Sequence, residues 1–361
     1  MKVCPHCSGA YPVAEGFCPM DGTRLRTLHA SDGGAPIGPG DAYASTLLGT
    51  VLDRRYRLDA LIGEGGMGLV FRATHVLIGK PLAIKLLRPE HTSSPDVARR
   101  FLLEARVASS LKHPNVVEIS DFGETGSGGA YYVMELLEGR TLAQSIDQSG
   151  PMSPPDAVIT AAQICAGLSA AHALGIVHRD LKPDNVFLAD PRHGAEHPVV
   201  KLLDFGIARA GPRRITVSGS VLGTPEYMSP EMAQGHDVDH RADLYALGVI
   251  LFEMLTGTVP FYNREMAKTL ELHVFGERPS LASRKPELAR LQRIGELVGV
   301  LMSIDRDARP RDAGEVLRSL RAAWVQDLDA EAVAQVQRAT LAMGSNRLPD
   351  IADAAGGAPW P

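Results

Sequence analysis

His178-Arg179-Asp180-Leu181-Lys182-Pro183-Asp184-Asn185, followed nineteen residues after Asn185 by Asp204-Phe205-Gly206, decides the reading of this chain. The two stretches bring together a carboxylate able to act as a base, a lysine able to bind phosphate, and two side chains that offer oxygen to a hard cation. Those are the groups that phosphoryl transfer requires.

The order and spacing resemble the catalytic loop and metal-binding triplet of bacterial eukaryotic-like (Hanks-type) serine/threonine protein kinases. The resemblance covers about three quarters of the chain. It implies an α+β, bilobal fold over residues 56–322: a small lobe (56–137), mainly antiparallel sheet plus one helix, and a mainly helical large lobe (138–322). It also implies roles. Asp180 would orient the acceptor hydroxyl, Lys182 would balance charge on the transferring group, and Asn185 and Asp204 would hold Mg2+ or Mn2+. His178 would pack near Phe205, and Arg179 would receive a phosphorylated activation loop.

Upstream, strand-like Tyr56 to Ile62 leads into Gly63-Glu64-Gly65-Gly66-Met67-Gly68-Leu69-Val70. A G-x-G-x-x-G run lets backbone approach phosphate, and by itself it also fits a dinucleotide fold. Here, however, Leu69 to Ala73 reads as a returning strand and not as a helix. Leu82-Ala83-Ile84-Lys85 forms a third strand whose lysine would reach the ATP phosphates. Ser94-Pro95 starts a helix carrying Glu104, which the resemblance pairs with Lys85. Tyr131 to Gly139 reads as the last small-lobe strand and a hinge, with Met134 as gatekeeper and backbone of Glu135 and Leu137 facing adenine. Ile62, Val70, Ala83 and Leu188 would complete the nucleotide site. Apolar spacing from Pro154 to Gly175 predicts a central helix with Cys165 in the core.

Lysine two positions after Asp180, and Gly223-Thr224-Pro225-Glu226-Tyr227-Met228-Ser229-Pro230-Glu231, resemble the serine/threonine branch. Thr224 would bond to Asp180 and Lys182, Glu231 would pair with Arg309, and Asp243 would anchor the catalytic loop from below. Thr216 and Ser218, flanked by Arg213 and Arg214, are the expected autophosphorylation sites, in which case two copies of the chain would meet. The other reading of that segment is an unmodified polar loop.

At the N-terminus, Cys4-Pro5-His6-Cys7 and Cys18-Pro19-Met20-Asp21 look like two knuckles of a zinc ribbon over 1–27, with Asp21 in the fourth ligand position. The alternative is an unstructured cysteine-bearing tail. Residues 28–50, rich in Gly, Ser and Pro, predict a flexible linker. The segment 323–361 predicts one loose helix through Val333, Val336 and Leu341, then a disordered end.

Composition excludes several classes. Lys+Arg 37 against Asp+Glu 42 gives a net charge of −5, with no basic surplus for nucleic acid or membrane surfaces. No apolar run reaches the roughly 20 residues needed to span a bilayer, and Met1-Lys2-Val3 opens no secretory signal, which predicts a cytoplasmic protein. The expected partners are protein substrates with serine or threonine acceptors. A pseudokinase scaffold or a small-molecule kinase are the competing readings. The first is disfavoured by the presence of Lys85, Glu104, Asp180, Asn185 and Asp204, the second by the acceptor segment 223–231.

Overall fold

The computed structural model describes residues 2–12, 15–27, 39–65, 68–92, 95–125, 129–191, 197–205 and 224–342. Gly66, Met67, Gly206, Thr216, Ser218 and Gly223 lie outside them, as do 28–38 and 343–361.

The first 27 residues carry a small antiparallel sheet of order β2-β1-β3, made by β1 (Lys2–Val3), β2 (Ala10–Tyr11) and β3 (Arg26–Thr27). Among the described residues its interior is Cys4, Cys18 and Leu25 with Tyr11 packed alongside, too little apolar surface to hold such a segment by itself. The rest of its support comes from the large lobe: Thr23 bridges to Thr258, and the Phe17 ring lies 5.6 Å from that of Tyr262.

Part of the segment 28–50, expected as a flexible linker, is folded; its first part, 28–38, lies outside the described residues. Residues Pro39–Leu47 form helix α1, and Ala44 is buried with Tyr43 and Leu47 packed beside it on the small-lobe core. Averaged over the whole segment, the Gly and Pro content hides this short apolar stripe. Strands β4 (Val51–Leu52), β5 (Tyr56–Glu64), β6 (Gly68–His75), β7 (Pro81–Leu87), β8 (Ile119–Glu124) and β9 (Ala130–Met134) form one antiparallel sheet of order β4-β5-β6-β7-β9-β8. One face packs Leu58, Phe71, Ile84 and Tyr131. After the single turn α2 (Pro89–Thr92), helix α3 (Pro95–Ser109) packs Phe101, Ala105 and Ala108 against Ile119 and Tyr132. Proline at its first position suits a helix start, since the missing N–H has no intrahelical partner there.

The large lobe opens with β10 (Gly139–Thr141), which pairs with β11 (Val186–Ala189), itself paired with β12 (Val199–Leu202). Helix α4 (Leu142–Ser149) starts on a reciprocal cap between Thr141 and Gln144. Helix α5 (Pro154–Ala173) begins at Ser153, whose side chain accepts the Asp156 N–H, and buries Cys165 completely. After α6 (Pro230–Ala233) comes α7 (Arg241–Thr256), in which every residue from Ala242 to Thr256 is buried. A helix buried around its whole circumference belongs at the centre of a core. It ends at Gly257, φ +79°, whose N–H bonds the Glu253 carbonyl. Helices α8 (Met266–Phe275), α9 (Leu281–Arg284), α10 (Gln292–Leu301) and α11 (Ala313–Asp327) complete the lobe.

The fold continues past residue 322. Trp324 and Leu328 are buried, and α12 (Ala330–Ala342) lays Val336, fully buried, and Ala339 on the large-lobe core. The helix expected to be loose is therefore packed, with Gln335 reaching Asp156 of α5 at 3.4 Å. Among the described residues no helix is long and apolar enough to cross a membrane.

Candidate active site between the lobes

Asp243, deep in α7, sets the position of the catalytic loop. Its carboxylate accepts the backbone N–H groups of His178 at 2.8 Å and Arg179 at 2.9 Å, and lies 2.8 Å from His172 Nε2. These bonds hold Arg179 at φ 62°, in the left-handed region that a side chain normally avoids. His178 is fully buried. Burial depresses its pKa, so the ring is neutral: Nε2–H donates to the Leu203 carbonyl at 2.9 Å and Nδ1 accepts from Asp180 N–H at 3.3 Å. Its ring packs on Phe205, centroids 4.6 Å apart, as expected.

On this base the loop side chains converge. Asn185 donates from Nδ2 to the Asp180 carbonyl at 2.8 Å and to its carboxylate at 3.2 Å. Lys182 Nζ lies 3.6 Å from Asp180 Oδ2 and donates to Thr224 Oγ1 at 2.9 Å, joining the loop to the acceptor segment. Arg179, Asp180, Lys182, Thr224, Tyr227 and Met228 line one concavity.

Across the cleft, Lys85 on β7 places Nζ 2.6 Å from Asp204 Oδ2, and the Tyr132 hydroxyl donates to Asp204 Oδ1 at 2.9 Å. Burial pushes the Asp204 carboxyl up, but the ammonium and the hydroxyl outweigh it and hold the group below the usual carboxylate range. Asp204 also sits at φ 47°. Glu104 falls on α3 as predicted; its side chain, and with it the expected pairing to Lys85, lies outside what the structure describes.

The nucleotide-side residues gather on the small-lobe sheet. Val70 pairs with Lys85 and with Gly63, and Ala83 pairs with Met134 at the end of β9. Leu188 is buried beneath them on β11, whereas Ile62 is half exposed. The hairpin tip is pinned by Gly65 N–H to the Gly68 carbonyl at 2.9 Å. A Cβ on Gly68 would come 2.8 Å from the Leu86 carbonyl, so glycine is required there by strand packing alone. Arg88, not singled out in the sequence, ion-pairs with Glu64 and donates to the Gly65 carbonyl at 3.0 Å. Glu135 is engaged by Lys201 at 2.6 Å and by Glu118 N–H. Leu137 follows in the segment 135–138, which is in neither helix nor strand.

Magnesium fits the donors present. With Asn185 Nδ2 committed to Asp180, its Oδ1 remains as an oxygen donor, and Lys85 keeps Asp204 ionised.

Glu231 and Arg309 form a fork-to-fork pair at 2.8 and 2.7 Å, both buried, under the acceptor segment.

The second cluster is in the N-terminal segment. One ligand atom from each of Cys4, Cys7, Cys18 and Asp21 lies within 4.8 Å of all the others. The two knuckles share one backbone: Ser8 N–H bonds the Cys4 carbonyl and Gly22 N–H the Cys18 carbonyl, each at 2.9 Å, and Ser8 and Gly22 are both left-handed (φ 58° and 71°). Asp21 thus occupies, in its knuckle, the place of Cys7. Cys7 and Cys18 sulfurs are 3.6 Å apart, close to the ~3.8 Å that a tetrahedral ion with ~2.3 Å Zn–S bonds imposes. His6 Nδ1 lies 2.8 Å from Asp21 Oδ2.

Residues 56–319 match the protein kinase domain family, and the chain belongs to it. It is 39% identical over 281 residues to the serine/threonine-protein kinase pkn3 of Myxococcus xanthus, covering 76% of this chain and 51% of that protein. It is 39% identical over 244 residues to PrkC of Bacillus subtilis, covering 67% of this chain and 36% of that protein. The chain thus spans about half or less of these curated relatives. Among solved structures, the kinase domain of Mycobacterium tuberculosis PknI superposes with a TM-score of 0.59 at 26% identity, over 76% of this chain and 98% of that one.

Proposed function

We propose that this chain transfers the γ-phosphoryl group of ATP to serine or threonine hydroxyls of proteins. The observation that carries the reading is the Lys182–Thr224 bond, because it joins the catalytic loop to the acceptor segment within reach of Asp180. Asp180 accepts the hydroxyl proton and aims the oxygen for in-line attack. Lys182 offsets charge on the transferring group, Lys85 holds the ATP phosphates with Glu104 orienting it, and Asn185 with Asp204 holds magnesium, which when bound neutralises phosphate charge. The loop 63–70 covers the phosphates. Adenine lies among Ile62, Val70, Ala83, Met134 and Leu188, with backbone of Glu135 and Leu137 as its polar partners.

Arg179 Nε is buried with no hydrogen-bond partner among the described residues, which supports its service as receptor for phosphate on Thr216 or Ser218. The matching knuckle geometry supports structural zinc held by Cys4, Cys7, Cys18 and Asp21. Incubation of the chain with ATP, magnesium and a mixture of proteins, followed by mass spectrometry, tests the activity. Phosphoserine and phosphothreonine are expected, and their loss in Asp180→Asn. ATP binding without transfer to any protein, itself included, overturns the reading in favour of a scaffold.

A further inference from the structure

The three thiols of the N-terminal module have different surroundings. Cys7 is exposed, whereas Cys4 and Cys18 are buried. The Cys7 and Cys18 sulfurs are 3.6 Å apart, and the Tyr11 hydroxyl lies against both, 3.6 Å from the first and 3.4 Å from the second. Space is kept for that hydroxyl: a Cβ on Gly9 would come 2.7 Å from its oxygen, so any other residue there would push the ring away from the sulfurs. A tetrahedral metal site does not call for a phenol, and Tyr11 is not among the four ligand residues. Cys4 is held otherwise: its sulfur accepts the Cys7 N–H at 3.4 Å and faces Asp21 Oδ2 at 3.9 Å.

An exposed thiol, a second sulfur within reach and a proton donor beside both are the groups that turn a hydroperoxide into a disulfide. We propose that Cys7 and Cys18 form a reversible disulfide, with Tyr11 as proton donor, and that the module thereby passes oxidation to the kinase domain on which it sits. The Cys7 sulfur attacks one oxygen of the hydroperoxide and the O–O bond breaks. The departing oxygen takes the Tyr11 proton, which the Cys7 thiol proton replaces. Cys18 then attacks the sulfenic sulfur, the S–O bond breaks, and hydroxide leaves as water with the Cys18 proton. Two thiols and one hydroperoxide thus give one disulfide, one water and one alcohol, or a second water when the oxidant is hydrogen peroxide. A dithiol reductant returns both thiols and is itself oxidised.

Closing the sulfurs from 3.6 Å to a bond of about 2.05 Å draws Cys18 toward Cys7. The Cys18 knuckle is the one seated on the large lobe. Cys18 N–H bonds the Thr23 carbonyl at 2.6 Å, Thr23 bridges to Thr258, and the Gly22 carbonyl accepts the Val259 N–H at 3.3 Å. Phe17, beside Cys18, packs on Tyr262, and Arg24 donates to Glu253 Oε1 at 3.0 Å. The 3.3 Å bond is already longer than the usual range and has little slack. Thr258 and Val259 come directly after α7 and its Gly257 cap, and Asp243 of that helix holds the catalytic loop. The pairing needs the sulfurs alone, so it is independent of the zinc reading; a zinc ion in this site would keep only Cys4 and Asp21, and its loss is expected to accompany oxidation.

The test treats the full chain with hydrogen peroxide, then maps disulfides by mass spectrometry of unreduced peptides and follows amide exchange over residues 257–262. A Cys7–Cys18 link is expected, reversed by a dithiol, with exchange at Val259 raised about tenfold, the scale of one lost hydrogen bond. In Cys7→Ser neither the link nor any peroxide-dependent change in exchange should occur. Tyr11→Phe keeps the ring and both sulfurs and should slow link formation about a hundredfold, the lower end for a positioned proton donor. A Cys4–Cys7 link, an oxidised Cys7 with no link, an unchanged rate in Tyr11→Phe, or a link that leaves Val259 exchange as it was overturns the proposal. Metal content before oxidation judges the zinc reading separately, and phosphate transfer by the reduced chain judges the kinase reading.

Discussion

Lys85 and Asp204 are in direct ion contact, at 2.6 Å, across the cleft between the lobes. The contact joins β7 to the residue that follows Leu203, and the Tyr132 hydroxyl shares it from β9. Lys85→Met should therefore lower phosphate transfer by on the order of 10²- to 10³-fold, while the melting temperature changes by only a few degrees, since the pair lies at the open cleft. Steady-state kinetics beside a thermal melt checks both halves. Unaltered turnover would show that Lys85 serves the apo structure alone.

Arg309 and Glu231 illustrate the opposite case, a buried pair far from the reacting atoms. Arg309→Met leaves the Glu231 carboxylate with no counter-ion in the interior and should cost about 3–5 kcal/mol of unfolding free energy. Glu231→Met with Arg309→Met should recover much of that loss, because no buried charge is then left alone. Urea denaturation of the three variants measures it.

His273, buried in α8 against Tyr245 and Phe261, is held neutral. Burial and the nearby Arg278 bring its pKa down to about 3 from 6.5. The unfolded chain then binds the proton more tightly, so stability from this site is complete above pH 6.5 and is lost as pH falls toward 3. Between pH 7.5 and 5.0 the loss is about 2 kcal/mol. Denaturation of His273→Gln at the two pH values should show a smaller difference than the parent chain. An equal difference in both would assign the acid sensitivity to other groups.

The purified chain should carry about one zinc per molecule by elemental analysis, and Cys18→Ser should release it. Asp21→Cys, which exchanges the harder oxygen for sulfur, should slow removal by a chelator. A metal-free chain whose first 27 residues are nevertheless ordered would contradict this.

Much of the fold was legible because its signals are local. The strand of Lys85 and the helix opening at Pro95 follow from local pattern, while the packing of His178 on Phe205 and the Glu231–Arg309 pair, 78 positions apart, follow from the family resemblance. What escaped is contact between segments that no motif links. Arg24 meets Glu253 across 229 positions and Arg88 meets Glu64 across 24, and nothing in the periodicity of either segment marks its partner. Helix α1 was missed for a different reason: Tyr43, Ala44 and Leu47 are too few to alter the composition of a Gly- and Pro-rich stretch, yet enough to bury against a sheet already formed. Helix α12 shows the same logic, with Val336 and Ala339 finding a core that composition alone does not reveal.

The placement of the first 47 residues has a topological consequence. The module that ends at Thr27 rests on the large lobe, whereas α1, beginning at Pro39, rests on the small one. Among the described residues the chain passes between the lobes at the hinge near Glu135, and Thr27 on the one lobe is joined to Pro39 on the other by eleven intervening residues. That connection has a contour length of roughly 40 Å. While both its ends stay docked, the lobes cannot separate between those two anchor points by more than that length.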